Sequence, residues 1–140
     1  MDLDTARTIV AGARAHGSEA GLKPLTVVVL DAGGHVVAVE REDGSSMTRF
    51  EIGFGKAHGA LSLGMGSRAI MGRAEQQPYF IAAVTSAVGG ALVPVPGGVL
   101  VRDADGTLVG AVGVTGDTSD NDEAAAVAGI EGAGLTAETG

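Results

Sequence analysis

The chain has 140 residues, a net charge of −8 and no cysteine. The acidic balance excludes the basic stripe of a nucleic-acid binder and adhesion to anionic membranes, and the missing thiols exclude disulfides, thiolate nucleophiles and zinc–sulfur sites. No apolar run approaches the roughly 20 residues that cross a bilayer. The acidic opening MDLDTARTIV has no signal-peptide pattern, so the expectation is one domain over residues 1–140 in the cytoplasm.

Residues 3–20 carry Leu3, Ala6, Val10, Ala13 and Gly17 at helical spacing. TVVVLD (26–31) and VVAVER (36–41) are β-branched runs on either side of AGGH, the pattern of an antiparallel hairpin. From Thr48 to about Met65, the apolar positions Phe50, Phe54, Ala57, Leu61 and Met65 predict a second helix. Residues 67–88 read as one or two short helices, with Pro78 acceptable in a first turn. The prolines of GGALVPVPGG (89–98) exclude a central strand. VLVRD (99–103) and TLVGAVGVTG (107–116) form a second hairpin around ADG, and a last helix covers about 120–133.

This order of helix, hairpin, helices, hairpin, helix indicates an α+β fold with helices packed on a largely antiparallel sheet. Only Phe50, Phe54, Phe80 and Tyr79 are aromatic, so small aliphatic side chains fill the core, each burying little area. That poverty and an open sheet edge predict a homo-oligomer.

The acidic stretch GVTGDTSDNDEAAAVAGI (113–130) reads as a helix start. Asp120 at the N-cap and Glu123 three residues later resemble a capping box. The longer ligand series of a calcium loop is missing, so no metal site is expected. Asp117 and Asp122 lie outside the box, either solvated or, for Asp117, facing a pocket at the strand's end.

His58 is the most informative of the three histidines. It borders the apolar face of the second helix beside Phe54 and Leu61, with Glu51 two turns earlier. It reads equally as a ligand-binding or acid–base histidine and as a hydrogen-bonded core residue. The glycines of GFGKAHGALSLGMG and of PVPGG (Gly97, Gly98) imply close approach by another backbone or a flat ligand. Arg68, Arg73 and Tyr79 lie between these segments, and the arginines have the chemistry to meet a carboxylate.

TVVVLDAGGHVVAVEREDGSS, then GKAHGA, then VPGGVLVRDADGTLVGAVGVTGDTSDNDEAAAVAG, resemble the GlcG/HbpS-like family. That family also holds the C-terminal domain of PduO-type adenosyltransferases. The resemblance covers nearly the whole chain, through the order and spacing of Asp31–Gly34, Arg41 with Asp43–Gly44, Lys56–Ala57, Gly97–Gly98 and Gly110–Gly116 followed by Asp122–Glu123. It implies a profilin-like domain with a five-stranded antiparallel sheet, assembled as a dimer or higher oligomer, and haem as cofactor. The cofactor-binding candidates are then His58, Phe54, Arg68, Arg73, Tyr79, Gly97 and Gly98. One departure stands out: His58-Gly59-Ala60 follow Lys56–Ala57, where relatives usually carry an aromatic residue or arginine and then threonine. Two other readings are a small lyase or isomerase acting on a carbonyl- or carboxylate-bearing metabolite, and a non-catalytic accessory protein. In the first of these, His58 is the acid–base group, Glu51 its partner, and Arg68 or Arg73 the clamp.

Overall fold

Helix α1 (Leu3–Glu19) starts where the Asp2 carboxylate accepts a hydrogen bond from the Thr5 amide at 2.8 Å, satisfying one of the orphan donors of a first turn. A computed structural model describes residues 1–140. After α1 come β1 (Thr26–Asp31), β2 (Val36–Arg41), α2 (Arg49–Leu63), α3 (Ser67–Gln76), α4 (Pro78–Ala87), β3 (Gly98–Arg102), β4 (Leu108–Thr115), α5 (Ser119–Gly132) and β5 (Thr136–Glu138). The helical stretch after α2 breaks at Gln77, because the residue before a proline is pushed out of the α region.

The five strands form one antiparallel sheet in the order β2-β1-β4-β3-β5, so the fold is α+β, as the element order indicates. Both hairpins pair as their sequences predict. The fifth strand, only three residues long, closes on β3 and is too short to show a periodicity of its own.

Alternation sorts the strand residues onto two faces. Val27, Val29, Val99, Val101, Val112 and Val114 join Ala6, Ile9, Ala13, Ala125, Ala126 and Ile130 in the larger core beneath α1 and α5. Val28, Leu30, Leu100 and Ala111 meet Ala57 and Ala60 of α2 on the other face. Here helix and sheet approach backbone to backbone: a Cβ on Gly113 would lie 1.9 Å from the Gly53 carbonyl oxygen. Helix α2 lies over β4, β3 and β1. The edge strand β2 is outside its footprint.

The α5 cap differs from the capping box that the acids suggest. Thr118 is the N-cap, and its hydroxyl accepts from the Asn121 amide at 3.3 Å. Asp120 and Glu123 both turn to Arg68 of α3 instead. The helix begins two residues earlier than the acids imply, and their charge serves a contact between helices. Asp117 accepts from the amides of Lys23 and Thr118 and from the Asn121 side chain, which together hold its carboxyl down at about 2.

Candidate functional site

Helical spacing of four places Phe50, Phe54 and His58 in one row along the flank of α2. Phe50 and Phe54 stand 5.9 Å apart between ring centroids, and Phe54 stacks on the His58 imidazole at 5.2 Å and 22°. Phe54 also packs against the cluster that contains Val28 and Leu30. The register pairs Val28 with Val39 and Leu30 with Val36, across a bulge that leaves Val37 unpaired. Val36 and Val39 therefore lie on the α2 face of the sheet, on the strand that α2 does not cover. They are 49% and 38% exposed, and Phe50 is 38% exposed. The result is an open apolar groove with the flank of α2 as one wall and β2 as its floor.

His58 stands at the hairpin end of this groove, half-buried, with Cδ2 3.7 Å from where a Cβ on Gly34 would lie. Its Nδ1 is 2.9 Å from the Ala91 carbonyl oxygen. A carbonyl only accepts, so Nδ1 carries the proton and, in the neutral ring, Nε2 holds the lone pair. Nε2 has no hydrogen-bond partner in the chain, since Nδ1 makes the only polar contact of the ring.

The space expected beside Gly55 and Gly59 is filled by the chain itself. A Cβ at Gly55 would lie 2.7 Å from Val93 Cγ2, and one at Gly59 would lie 3.0 Å from Leu92 Cγ. The Val93 amide donates to the Gly55 carbonyl at 3.1 Å, so the proline-bearing segment packs directly on α2. Gly97 and Gly98 are spent the same way. A Cβ on Gly98 would lie 2.3 Å from the Lys56 carbonyl oxygen, and one on Gly97 would lie 2.8 Å from Lys56 Nζ. These glycines admit the backbone and ammonium of α2 on the side a Cβ would take. Of the two close approaches that these glycines imply, the structure shows that of another backbone.

The remaining candidates are dispersed. Glu51 is exposed and makes no hydrogen bond to His58, whose Nδ1 is taken by Ala91. Arg68 meets carboxylates, but they belong to Asp120 and Glu123 of α5. Arg73 donates to the Gln77 side chain at 2.7 Å and lies 4.3 Å from the Phe80 ring centroid. Tyr79 is 71% exposed on the first turn of α4. Of the candidates, only His58 and Phe54 come together.

Two features escape a reading of motifs. Lys56 is 2% exposed, and its Nζ reaches Asp122 Oδ2 at 2.9 Å and the Val114 carbonyl oxygen at 3.0 Å. Asp122 is neither solvated nor at a pocket, since its other oxygen accepts from the Asp117 amide. Burial pushes the lysine down and the aspartic acid up, each against the pull of its partner. The second is the exposure of Val36 and Val39. They share a face at a spacing of three because of the bulge, which the continuous apolar run 36–39 does not reveal.

A family model described as "Haem degrading protein HbpS-like" matches residues 1–131, and the chain belongs to the HbpS-like family. No curated protein matches its sequence. Among solved structures it is similar to the haem complex of PduOC, with a TM-score of 0.86 at 20% identity over 97% of this chain and 96% of that one. The Klebsiella pneumoniae protein ORFY gives 0.85 at 24% identity, over 96% and 90% of the two chains. A double mutant of Streptomyces reticuli HbpS gives 0.78 at 26% identity, over 94% and 85%.

Proposed function

We propose that this chain binds haem, whose iron His58 would hold, with the groove between α2 and β2 accommodating the ring. The supporting observation is the protonation of His58. A proximal histidine is best prepared when its far nitrogen donates to a fixed oxygen, which sets the tautomer and raises the basicity of the ligating nitrogen. Ala91 supplies that oxygen, and Nε2 is left unpartnered. Phe50, Phe54, Val36 and Val39 supply apolar surface of the kind a porphyrin face buries. Membership in the HbpS-like family and likeness to a haem complex point the same way. Bound haem supplies a redox-active iron; the residues of this chain hold, orient and partly desolvate it.

The groove is open on its outer side, and β2 is an unpaired edge. A homo-oligomer that covers this side fits both facts. An acid–base enzyme is less well supported, because Glu51, Arg68 and Arg73 are not assembled around His58.

Optical titration with hemin tests the reading. The wild-type chain is expected to give a saturable Soret shift. His58→Ala is expected to abolish the shift while keeping the melting temperature within a few degrees, because the ring is half-buried and makes one polar contact. A variant that melts much lower and still binds hemin like wild type assigns His58 to the core instead.

A further inference from the structure

The end of the groove remote from His58 is polar and carries Arg41 and Arg49, with Asp43 and Glu51 exposed near them in the chain. Arg41 closes β2, and its pairing with Thr26 puts it on the same face of the sheet as Val28 and Val39. Its guanidinium donates to the Ser45 carbonyl in the loop that leads into α2. Arg49 opens α2 and reaches Thr115 Oγ1 at 2.8 Å and Ser46 Oγ at 3.0 Å.

Neither arginine meets a carboxylate, although the chain has 17 acidic residues against 9 lysines and arginines. Arg7, Arg14, Lys56, Arg68 and Arg102 each do, and Lys23 and Arg73 do not. The acids that flank Arg41 in sequence, Glu40 and Glu42, are both turned to Arg14 of α1. Beside these arginines, the Phe50 and Glu51 amides in the first turn of α2 have no backbone acceptor. Thr48, the N-cap, makes no side-chain cap bond. Two buried hydroxyls at this end, Thr26 Oγ1 and Ser45 Oγ, also lack partners; the residues are 0% and 6% exposed.

We propose that Arg41, backed by the free amides of the α2 N-terminus, is the carboxylate-binding end of the groove. It takes the acidic side chains of the tetrapyrrole whose iron His58 holds. This rests on the reading of His58 above and adds the orientation of the ligand. A guanidinium with a vacant edge and a helix N-terminus both favour a carboxylate. Arg41 stands at the far end of β2, about 16 Å from Val36 at the hairpin end at roughly 3.3 Å per residue. Apolar walls then meet the ring, and charge meets charge at one end only.

Binding isotherms for hemin, metal-free protoporphyrin IX and the dimethyl ester of each test this, read by absorbance and porphyrin fluorescence. Arg41→Gln is expected to weaken both diacids by about tenfold, the loss of one charge-assisted contact, and to leave the esters unchanged. Arg41→Lys is expected to recover part of that loss. Wild type is expected to bind the esters about as weakly as Arg41→Gln binds the diacids. Equal binding of diacid and ester by wild type, or equal loss of both in Arg41→Gln, overturns the assignment of Arg41. If His58→Ala still loses hemin in that case, the haem reading stands. If His58→Ala binds hemin like wild type while Arg41→Gln weakens the diacids and not the esters, the haem ligand is wrong and the carboxylate end is right. Failure of wild type to bind any of the four ligands overturns both.

Discussion

Asp120 and Thr118 show how a single side chain changes its role with its neighbours. An isolated carboxylate before an alanine-rich helix caps it; with Arg68 opposite, Asp120 pairs across helices and leaves the cap to a threonine hydroxyl. Thr118→Ala is therefore expected to cost about 1 kcal/mol, the usual loss of a cap. Asp120→Ala is expected to cost clearly less, because its pair is largely exposed and such pairs contribute little. Chemical denaturation of both variants checks the order, and a reversed order returns the cap to Asp120. At this scale the sequence shows that a helix starts near 118–120 and that acids favour its positive end. Which oxygen does the capping depends on Arg68, a residue more than fifty positions away, and no local pattern carries that. His58 is the counter-example: its place beside Phe54 follows from spacing alone, whereas its tautomer depends on Ala91, which belongs to an irregular segment.

Among the elements, α2 decides most. Its inner side is nearly stripped of side chains, through Gly53, Ala57 and Ala60, so that it settles onto the sheet at backbone distance. Lys56 is the exception, a buried ammonium tied to β4 and to Asp122 of α5. A buried ion pair is seldom a net gain, yet removing one partner strands the other. Lys56→Met alone is expected to cost about 3–5 kcal/mol. Lys56→Met with Asp122→Asn is expected to cost less than the sum of the two single changes, since asparagine still accepts from the Asp117 amide. A double-mutant cycle on unfolding free energies measures the difference, and simple additivity would show that the two charges do not act as a pair. The helix itself is legible from its apolar spacing. The partner of Lys56 is not, because a lysine in a helix ordinarily reads as solvated and only the tertiary fold takes it out of water.

Over the whole molecule, two unequal layers enclose the sheet. Helices α1 and α5 bury one face, while α2 covers the other only as far as β1. No helix is long and apolar enough to cross a membrane. The uncovered strip carries Val36 and Val39, and Met47 beside Phe50 in sequence is 89% exposed. Sedimentation is expected to give a species larger than the 13.7 kDa chain at micromolar concentration, and Val39→Lys is expected to lower its mass. A 13.7 kDa monomer for the unmodified chain would remove the oligomer. The α+β class and the two hairpins follow from the order of apolar runs. The strand order does not, since it pairs β1, which ends at Asp31, with β4, which starts at Leu108, and neither does the uncovered strip, which is a consequence of where α2 lands.

The two sides of α2 meet only at Phe54, which packs against the cluster of Val28 and Leu30 as well as facing the groove. Gly53, Lys56, Ala57 and Ala60 hold it down; Phe50, Phe54 and His58 face the groove. Substitutions at Phe50 and His58 leave the anchoring set untouched, so the outer row is free to change without loosening the helix. A lineage that keeps the small inner residues and the buried lysine retains the scaffold whatever its outer row becomes. Overall likeness of fold within such a lineage then says little about the residues at 50 and 58.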